Sequence, residues 1–143
     1  MSANRNGTSA GAAHDHEYER LLPDEPLVAQ ARRPGIAEQL ANAPSRRIAA
    51  AEIIREGYLL HYRESRWYDF DDADMALLAG DRMYSAGLLL LAADRDIEAV
   101  VAIANVIGGC AEAHAIGEPH VADGLWTSTL AMLARGSASD GLA

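Results

Sequence analysis

The sequence contains no lysine, a single cysteine and few aromatic residues. With Cys110 alone, the chain can form neither an internal disulfide nor a cysteine-rich zinc site, which is compatible with a reducing cytoplasm. One Phe and two Trp leave Ala, Leu, Ile and Val to fill the core, and such a core favours close helix–helix contacts over a sheet. All twelve basic residues are Arg, which together with abundant Ala and Gly indicates a GC-rich, bacterial genome.

The chain also has no basic footprint and no long apolar run. Its formal net charge is −9, and residues 46–143 carry eight Arg against fifteen acids. Because such a field repels a phosphate backbone, we exclude nucleic acid as a partner. The longest apolar run, near 86–93, is far shorter than the roughly 20 residues that a bilayer requires, and the N-terminus has no apolar signal region. We therefore expect a cytoplasmic protein without a transmembrane segment.

Residues 1–45 are predicted to be a flexible, proline-rich N-terminal arm. The first 17 residues show no periodicity, and their His14 and His16 are interpreted as solvated rather than metal-binding. Four of the five prolines lie in 18–45 and prevent a continuous helix there. An apolar cluster within 18–28 could pack on the arm's own domain or on a partner, and both alternatives remain open.

Residues 46–135 are predicted to form an all-α domain, an antiparallel bundle of about four helices. Ser45 is a plausible N-cap for the first helix, and an acidic turn should begin the second near residue 73. A short turn at 94–96 should supply a cap for the third helix. That helix should end at Gly117, and Pro119 should open the fourth. Gly136 is expected to end that helix and to begin a flexible tail, 136–143.

The acidic turn is the strongest local charge feature. Its carboxylates could hold Mg²⁺ or Ca²⁺ through oxygen ligands, but it lacks the central glycine of an EF-hand loop. A capped helix start is the favoured interpretation, and metal binding stays open. The carboxylates concerned are Asp69, Asp71, Asp72 and Asp74.

Two further features of the central helices are unusual. The second predicted helix is apolar on most of its circumference, so it should be central in the bundle or covered by a second subunit. Asp81 lies within it and is expected to be buried and paired with an Arg or with His114. Cys110 and His114 share one helix face, but two ligands do not make a metal site, and we interpret them as core residues.

No complete catalytic, cofactor or metal constellation is found, so no such residues are predicted and enzymatic activity is not favoured. The side chains that could line a partner surface or a pocket between helices are Tyr58, His61, Asp81, Met83, Tyr84, His114 and Trp126.

One stretch resembles a known family. Residues 75–92, MALLAGDRMYSAGLLLLA, are similar to a helix of the trans-polyprenyl diphosphate synthases that carries an apolar LLAGD run, and residues 106–118 resemble the following helix. Those enzymes hold diphosphate through Mg²⁺ bound by two D-D-x-x-D motifs. Here Met75 occupies the last position of the nearest such sequence, at 71–75, and a second motif is missing. The resemblance implies a truncated, non-catalytic relative of that helical fold.

These observations predict a non-catalytic accessory or scaffold subunit that acts through protein–protein contacts, with itself or with another protein. A binding module for a small lipid or isoprenoid-like molecule is the first alternative. A remnant of a magnesium-dependent enzyme is the second.

Overall fold

The computed structural model describes residues 17–23, 30–31 and 35–140 and is almost entirely helical within them. The all-α class is confirmed. The tail that contains His14 and His16 lies outside the described residues. In chain order the elements are α1 (17–21), β1 (Gln30–Ala31), α2 (Ile36–Ala41), α3 (Arg46–Tyr62), β2 (Tyr68–Asp69), α4 (Ala73–Ala93), α5 (Ile97–Ala115) and α6 (Pro119–Asp140). The two strands form one short antiparallel ladder in which Gln30 is opposite Asp69.

Four long helices, α3 to α6, follow an up-and-down course, and two short helices precede them. Gly57 in α3 approaches Gly80 in α4, whereas the earlier Ala50 approaches the later Gly87, so these helices are antiparallel. The helices α5 and α6 form a second antiparallel pair, because the connection between them is only three residues long. The architecture is therefore two helical hairpins packed on each other.

The predicted helix caps are present. The side chains of Ser45, Asp72 and Asp96 each accept a hydrogen bond from a backbone N–H two or three residues later, at 3.2, 2.8 and 3.2 Å. Gly117 follows the end of α5 with φ of 76°, the left-handed conformation that glycine adopts readily. Local sequence signals thus set the boundaries on both sides of these helices.

The prediction that Gly136 ends the last helix is wrong, because α6 continues to Asp140. A Cβ at position 136 would lie 2.2 Å from Nη1 of Arg47. Glycine therefore makes room for a buried guanidinium rather than for a chain reversal. Arg47 itself binds Asp96 through two hydrogen bonds of 2.6 and 2.8 Å and donates a third to the carbonyl of Leu133.

The hairpin of α3 and α4 is packed backbone to backbone through glycines. A Cβ on Gly87 would lie 2.3 Å from Cγ1 of Ile54 and 2.8 Å from the carbonyl oxygen of Ala50. A Cβ on Gly57 would lie 2.9 Å from the carbonyl oxygen of Gly80. The backbones of α3 and α4 therefore approach each other closely at these glycines.

The link between α3 and α4 is held by a buried carboxylate. Glu56 has no exposed surface and accepts hydrogen bonds from the Ser65 hydroxyl, from the backbone N–H of Arg66 and from Nε of Arg66, the last two at 2.9 Å. Nη1 of Arg66 also lies 2.7 Å from Glu52. Because each donor has an acceptor here, the burial of this charge is compensated.

The described part of the N-terminal arm packs on its own domain. Tyr18 in α1 and the neighbouring Leu22 are buried in the core. Glu17 forms an ion pair of 2.6 Å with Arg46 at the start of α3. Of the two alternatives for the arm, contact with its own domain is therefore observed for these residues.

Candidate functional site

The structure brings together six aromatic side chains at one end of the hairpins. They come from the last turns of α3, the middle of α4, the end of α5 and the first half of α6, and ring centroids of contacting pairs are 4.4–6.2 Å apart. We call this set the aromatic cluster; it consists of Tyr58, His61, Tyr62, Tyr84, His114 and Trp126. Five of these residues belong to the predicted surface, and Tyr62 was not predicted.

A tyrosine–histidine pair lies at the centre of the aromatic cluster. The hydroxyl of Tyr58 is 2.8 Å from Nε2 of His114 and accepts a hydrogen bond of 3.3 Å from Nε of Arg63. Because Arg63 is always a donor, the hydroxyl proton of Tyr58 is free to point at His114. Burial raises the pKa of Tyr58, although the hydrogen bond from Arg63 lowers it. The pair is thus a polar contact between the two hairpins.

The ring of His114 also stacks on the ring of Tyr62, with centroids 4.4 Å apart and planes tilted by 17°. Tyr62 is exposed. Arg63 also donates to the carbonyl of Pro119, at 3.0 Å, and lies 3.4 Å from Asp123. The outer rim of the aromatic cluster is therefore closed by contacts between α3 and α6.

The expectation that Asp81 is buried is wrong. Its side chain is 68% exposed, and Oδ1 lies 3.0 Å from Nε2 of His61, although the two groups are not aligned as a hydrogen bond. Asp81 falls on the outer face of α4, where water solvates the carboxylate. The helix appeared apolar all round in the sequence because its outer face carries leucines as well.

Two other predicted residues have core positions. Met83 is fully buried in the contact between α3 and α4, beside Gly57. Trp126 is also buried, and its indole Nε1 has no hydrogen-bond acceptor at good geometry. Beside it, burial raises the pKa of Cys110 to about 11, more than the nearby indole lowers it. A thiol with that pKa is not a nucleophile at neutral pH.

Among the described residues, no three His, Cys, Asp or Glu side chains are grouped to hold a metal ion. Asp72, from the acidic turn, instead caps α4. An open cleft of about 160 Å³ is lined by Arg63, Tyr68 and Phe70, among others. A second, more apolar groove of about 200 Å³ runs between α1 and α4, beside Leu89. Neither cleft opens on the tyrosine–histidine pair.

Large apolar side chains lie exposed on α4 and α5. Exposure ranges from 44% for Leu77 to 67% for Ile97. By length and composition, α4 and α5 could each cross a membrane, a criterion that core helices of soluble proteins also meet. We call these exposed residues the outer apolar face; it consists of Leu77, Leu78 and Leu89 of α4 and Ile97 and Val101 of α5.

Sequence reasoning missed Glu56 and the outward half of α5. Glu56 lies within an apolar helical stripe, and Ser65 and Arg66 follow about one loop later. A carboxylate in such a stripe, with an arginine a short loop away, was a usable signal for a buried ion pair. The exposure of α5 had only a weak signal, the polar Glu98, Asn105 and Glu112 at intervals of seven, because the remaining outward residues are as apolar as the inward ones.

No protein-family model matches the chain, and neither a curated protein nor a solved structure matches it.

Proposed function

We propose that the protein is a non-catalytic helical accessory or scaffold subunit of the cytoplasm. It acts through protein–protein contacts, in a homo-oligomer or in a larger assembly with other proteins.

The outer apolar face carries this proposal. Single exposed aliphatic residues are ordinary on a monomer, but here five lie on two consecutive helices, each at least 44% exposed. Full burial of one such side chain contributes about 1.5–3 kcal/mol, so covering the exposed half of each would contribute about 1 kcal/mol per residue. Large apolar side chains exposed in this number on two neighbouring helices favour a protein–protein interaction site.

The chemistry of the aromatic cluster also supports a non-catalytic role. Tyr58 and His114 satisfy each other across the hairpins, and the Cys110 thiol is protonated at neutral pH because its pKa is raised. Their contacts stabilise the joint between hairpins.

The proposal is tested by the size of the pure protein and by what it retains. Wild type and a Leu78→Gln/Leu89→Gln/Val101→Gln variant are compared by sedimentation velocity and by purification from the native host. Thr127→Gln/Ser128→Gln, two exposed positions on α6, is the matched control. We expect wild type and control to self-associate or to copurify with a partner protein in a fixed ratio. The triple variant should neither self-associate nor retain that partner. Monomers of all three forms that retain no protein would refute the proposal.

A second candidate is a module that binds a small lipid or isoprenoid-like molecule at the aromatic cluster. The exposed stack of Tyr62 on His114 favours it. Native mass spectrometry and thermal shifts with prenyl phosphates test it. A retained ligand, or a shift that Tyr62→Ala abolishes, would support it, and the absence of both would refute it.

A further inference from the structure

The outward half of α5 carries a stripe with heptad spacing. Its residues are separated by four, three, four, three and four positions, and every one is exposed, whereas the opposite side of the helix is buried against the domain. Alternating steps of three and four are the repeat by which helices pack in coiled coils. We call this set the α5 stripe; it consists of Ile97, Val101, Ala104, Gly108, Ala111 and Ala115.

The α5 stripe tapers from large to small. Ile97 and Val101 project at its first end, and the remaining four positions carry only Ala or Gly. A Cβ at Gly108 would meet nothing within 4 Å. After Val101 the stripe is therefore a low, open helix face, and the whole stripe is about 27 Å long at the 1.5 Å rise of a helix. Another helix that carries large side chains could approach it closely.

The charge around the α5 stripe is acidic. Glu98 and Glu112 lie along one edge, two heptads apart, with Asn105 between them, and α5 contains no Arg. Arg47 forms ion pairs with both Asp96, at 2.6 Å, and Glu98, at 3.5 Å, and the side chain of Glu98 remains 65% exposed. From residue 73 to 118 the chain carries seven acids and two Arg, a formal charge of −5. A partner with cations opposite this edge would be attracted.

A second copy of the chain fits the α5 stripe less well. Only an antiparallel copy would place the large end on the small end, since Ile97 would then face Ala115. The same arrangement brings Glu98 near Glu112 of the other copy, and both chains carry a charge of −9. Like charges placed opposite each other destabilise a pairing.

We propose that the α5 stripe receives a helix of a different protein, with large apolar residues at heptad spacing and Lys or Arg along the edge that faces Glu98 and Glu112. This inference rests on the proposed function and names the partner's chemistry.

The test uses a labelled helical peptide of about three heptads with Leu at positions a and d and Lys at e and g, and a second peptide with Glu in place of Lys. Binding to the full-length protein is measured by fluorescence anisotropy. Gly108→Gln places a larger side chain at the middle of the α5 stripe, where a new Cβ meets no atom within 4 Å. Gly124→Gln is the matched control, because position 124 on α6 is also exposed and has no atom within 4 Å of a new Cβ. Glu112→Gln removes one edge charge.

We expect the Lys peptide to bind at least about tenfold more tightly than the Glu peptide. Gly108→Gln should weaken that binding at least about tenfold, Gly124→Gln less than about twofold, and Glu112→Gln should narrow the difference between the peptides. Equal binding to Gly108→Gln and to Gly124→Gln would overturn the inference, because the peptide would then be held by general charge alone.

Other occupants give different results. Self-association of the wild type that Gly108→Gln abolishes would assign the α5 stripe to a second copy. Sedimentation with phosphatidylcholine vesicles that the same variant abolishes would assign it to lipid. Either result overturns the inference. If the peptides fail to bind while the Leu78→Gln/Leu89→Gln/Val101→Gln variant still loses a retained protein, the inference falls and the proposed function stands.

Discussion

Replacement of Gly87 by Ala tests the backbone-to-backbone packing of α3 and α4. The new methyl group would lie 2.8 Å from the carbonyl oxygen of Ala50 and 2.3 Å from Cγ1 of Ile54. A side chain could rotate away, but the carbonyl belongs to a helix that is buried on this side. The two helices would have to separate by a few tenths of an ångström or more.

The expected magnitude follows from two opposing effects. Overpacking a core by a methyl group costs about 1–3 kcal/mol, while Gly to Ala within a helix contributes about 1 kcal/mol of stability. Gly87→Ala should therefore lower the free energy of unfolding by up to about 2 kcal/mol. Gly108→Ala makes the same chemical change in open space and should raise it by about 0.5–1 kcal/mol.

Urea denaturation followed by circular dichroism measures both variants against wild type. The difference between them should be about 2 kcal/mol, with unchanged denaturant dependence if the folded compactness is preserved. If Gly87→Ala were as stable as Gly108→Ala, the close backbone packing of α3 and α4 at Gly87 would be refuted. Loss of stability in Gly108→Ala would refute the exposure of α5.

Three further perturbations probe single contacts. Glu56→Ala should lower the free energy of unfolding, measured by urea denaturation, by about 3–5 kcal/mol, because it leaves the guanidinium of Arg66 without its buried carboxylate. Glu52→Ala removes the more exposed carboxylate that Arg66 contacts and should lower it by about 1 kcal/mol or less. Equal losses in the two variants would contradict the buried network. The hydrogen bond from Arg47 lowers the pKa of Asp96 in the folded protein. The stability that this ion pair contributes is therefore present above the ordinary Asp pKa of about 3.9 and is lost as the pH falls through the lower pKa of the folded protein. The stability difference between wild type and Asp96→Asn, which keeps the helix cap, should therefore shrink below about pH 4, and a constant difference from pH 6 to pH 3 would count against the pair. Burial raises the pKa of Cys110 to about 11, so a thiol reagent at pH 8 should label the native protein at least about 100-fold more slowly than the urea-unfolded protein, and equal rates would show an accessible thiol.

Helix boundaries were predictable because they depend on neighbours in sequence. Ser45, Asp96 and Gly117 act within three residues of their own positions, so a single sequence contains the whole signal. Gly136 shows the limit of this reasoning. Its role depends on Arg47, nearly ninety positions earlier, and a glycine that accommodates a distant side chain looks the same in sequence as one that ends a helix.

Which residues belong to the candidate site could be predicted better than whether each of them is buried or exposed. Tyr58 and His114 were both named from helical spacing, and the structure joins them at 2.8 Å. Asp81 was expected to be buried because apolar residues surround it in sequence, but those residues include the exposed Leu77 and Leu78. Periodicity fails where a helix is apolar on both its inner and its outer face.

The close backbone contact between α3 and α4 bears on the order in which the chain folds. It joins positions 57 and 80, whereas the contacts that attach the second hairpin, Arg47 to Asp96 and Tyr58 to His114, span 49 and 56 residues. Contacts closer in sequence require less loop closure and form sooner. Each hairpin would therefore close on its own first, and the contacts that join α3 to the second hairpin would form last.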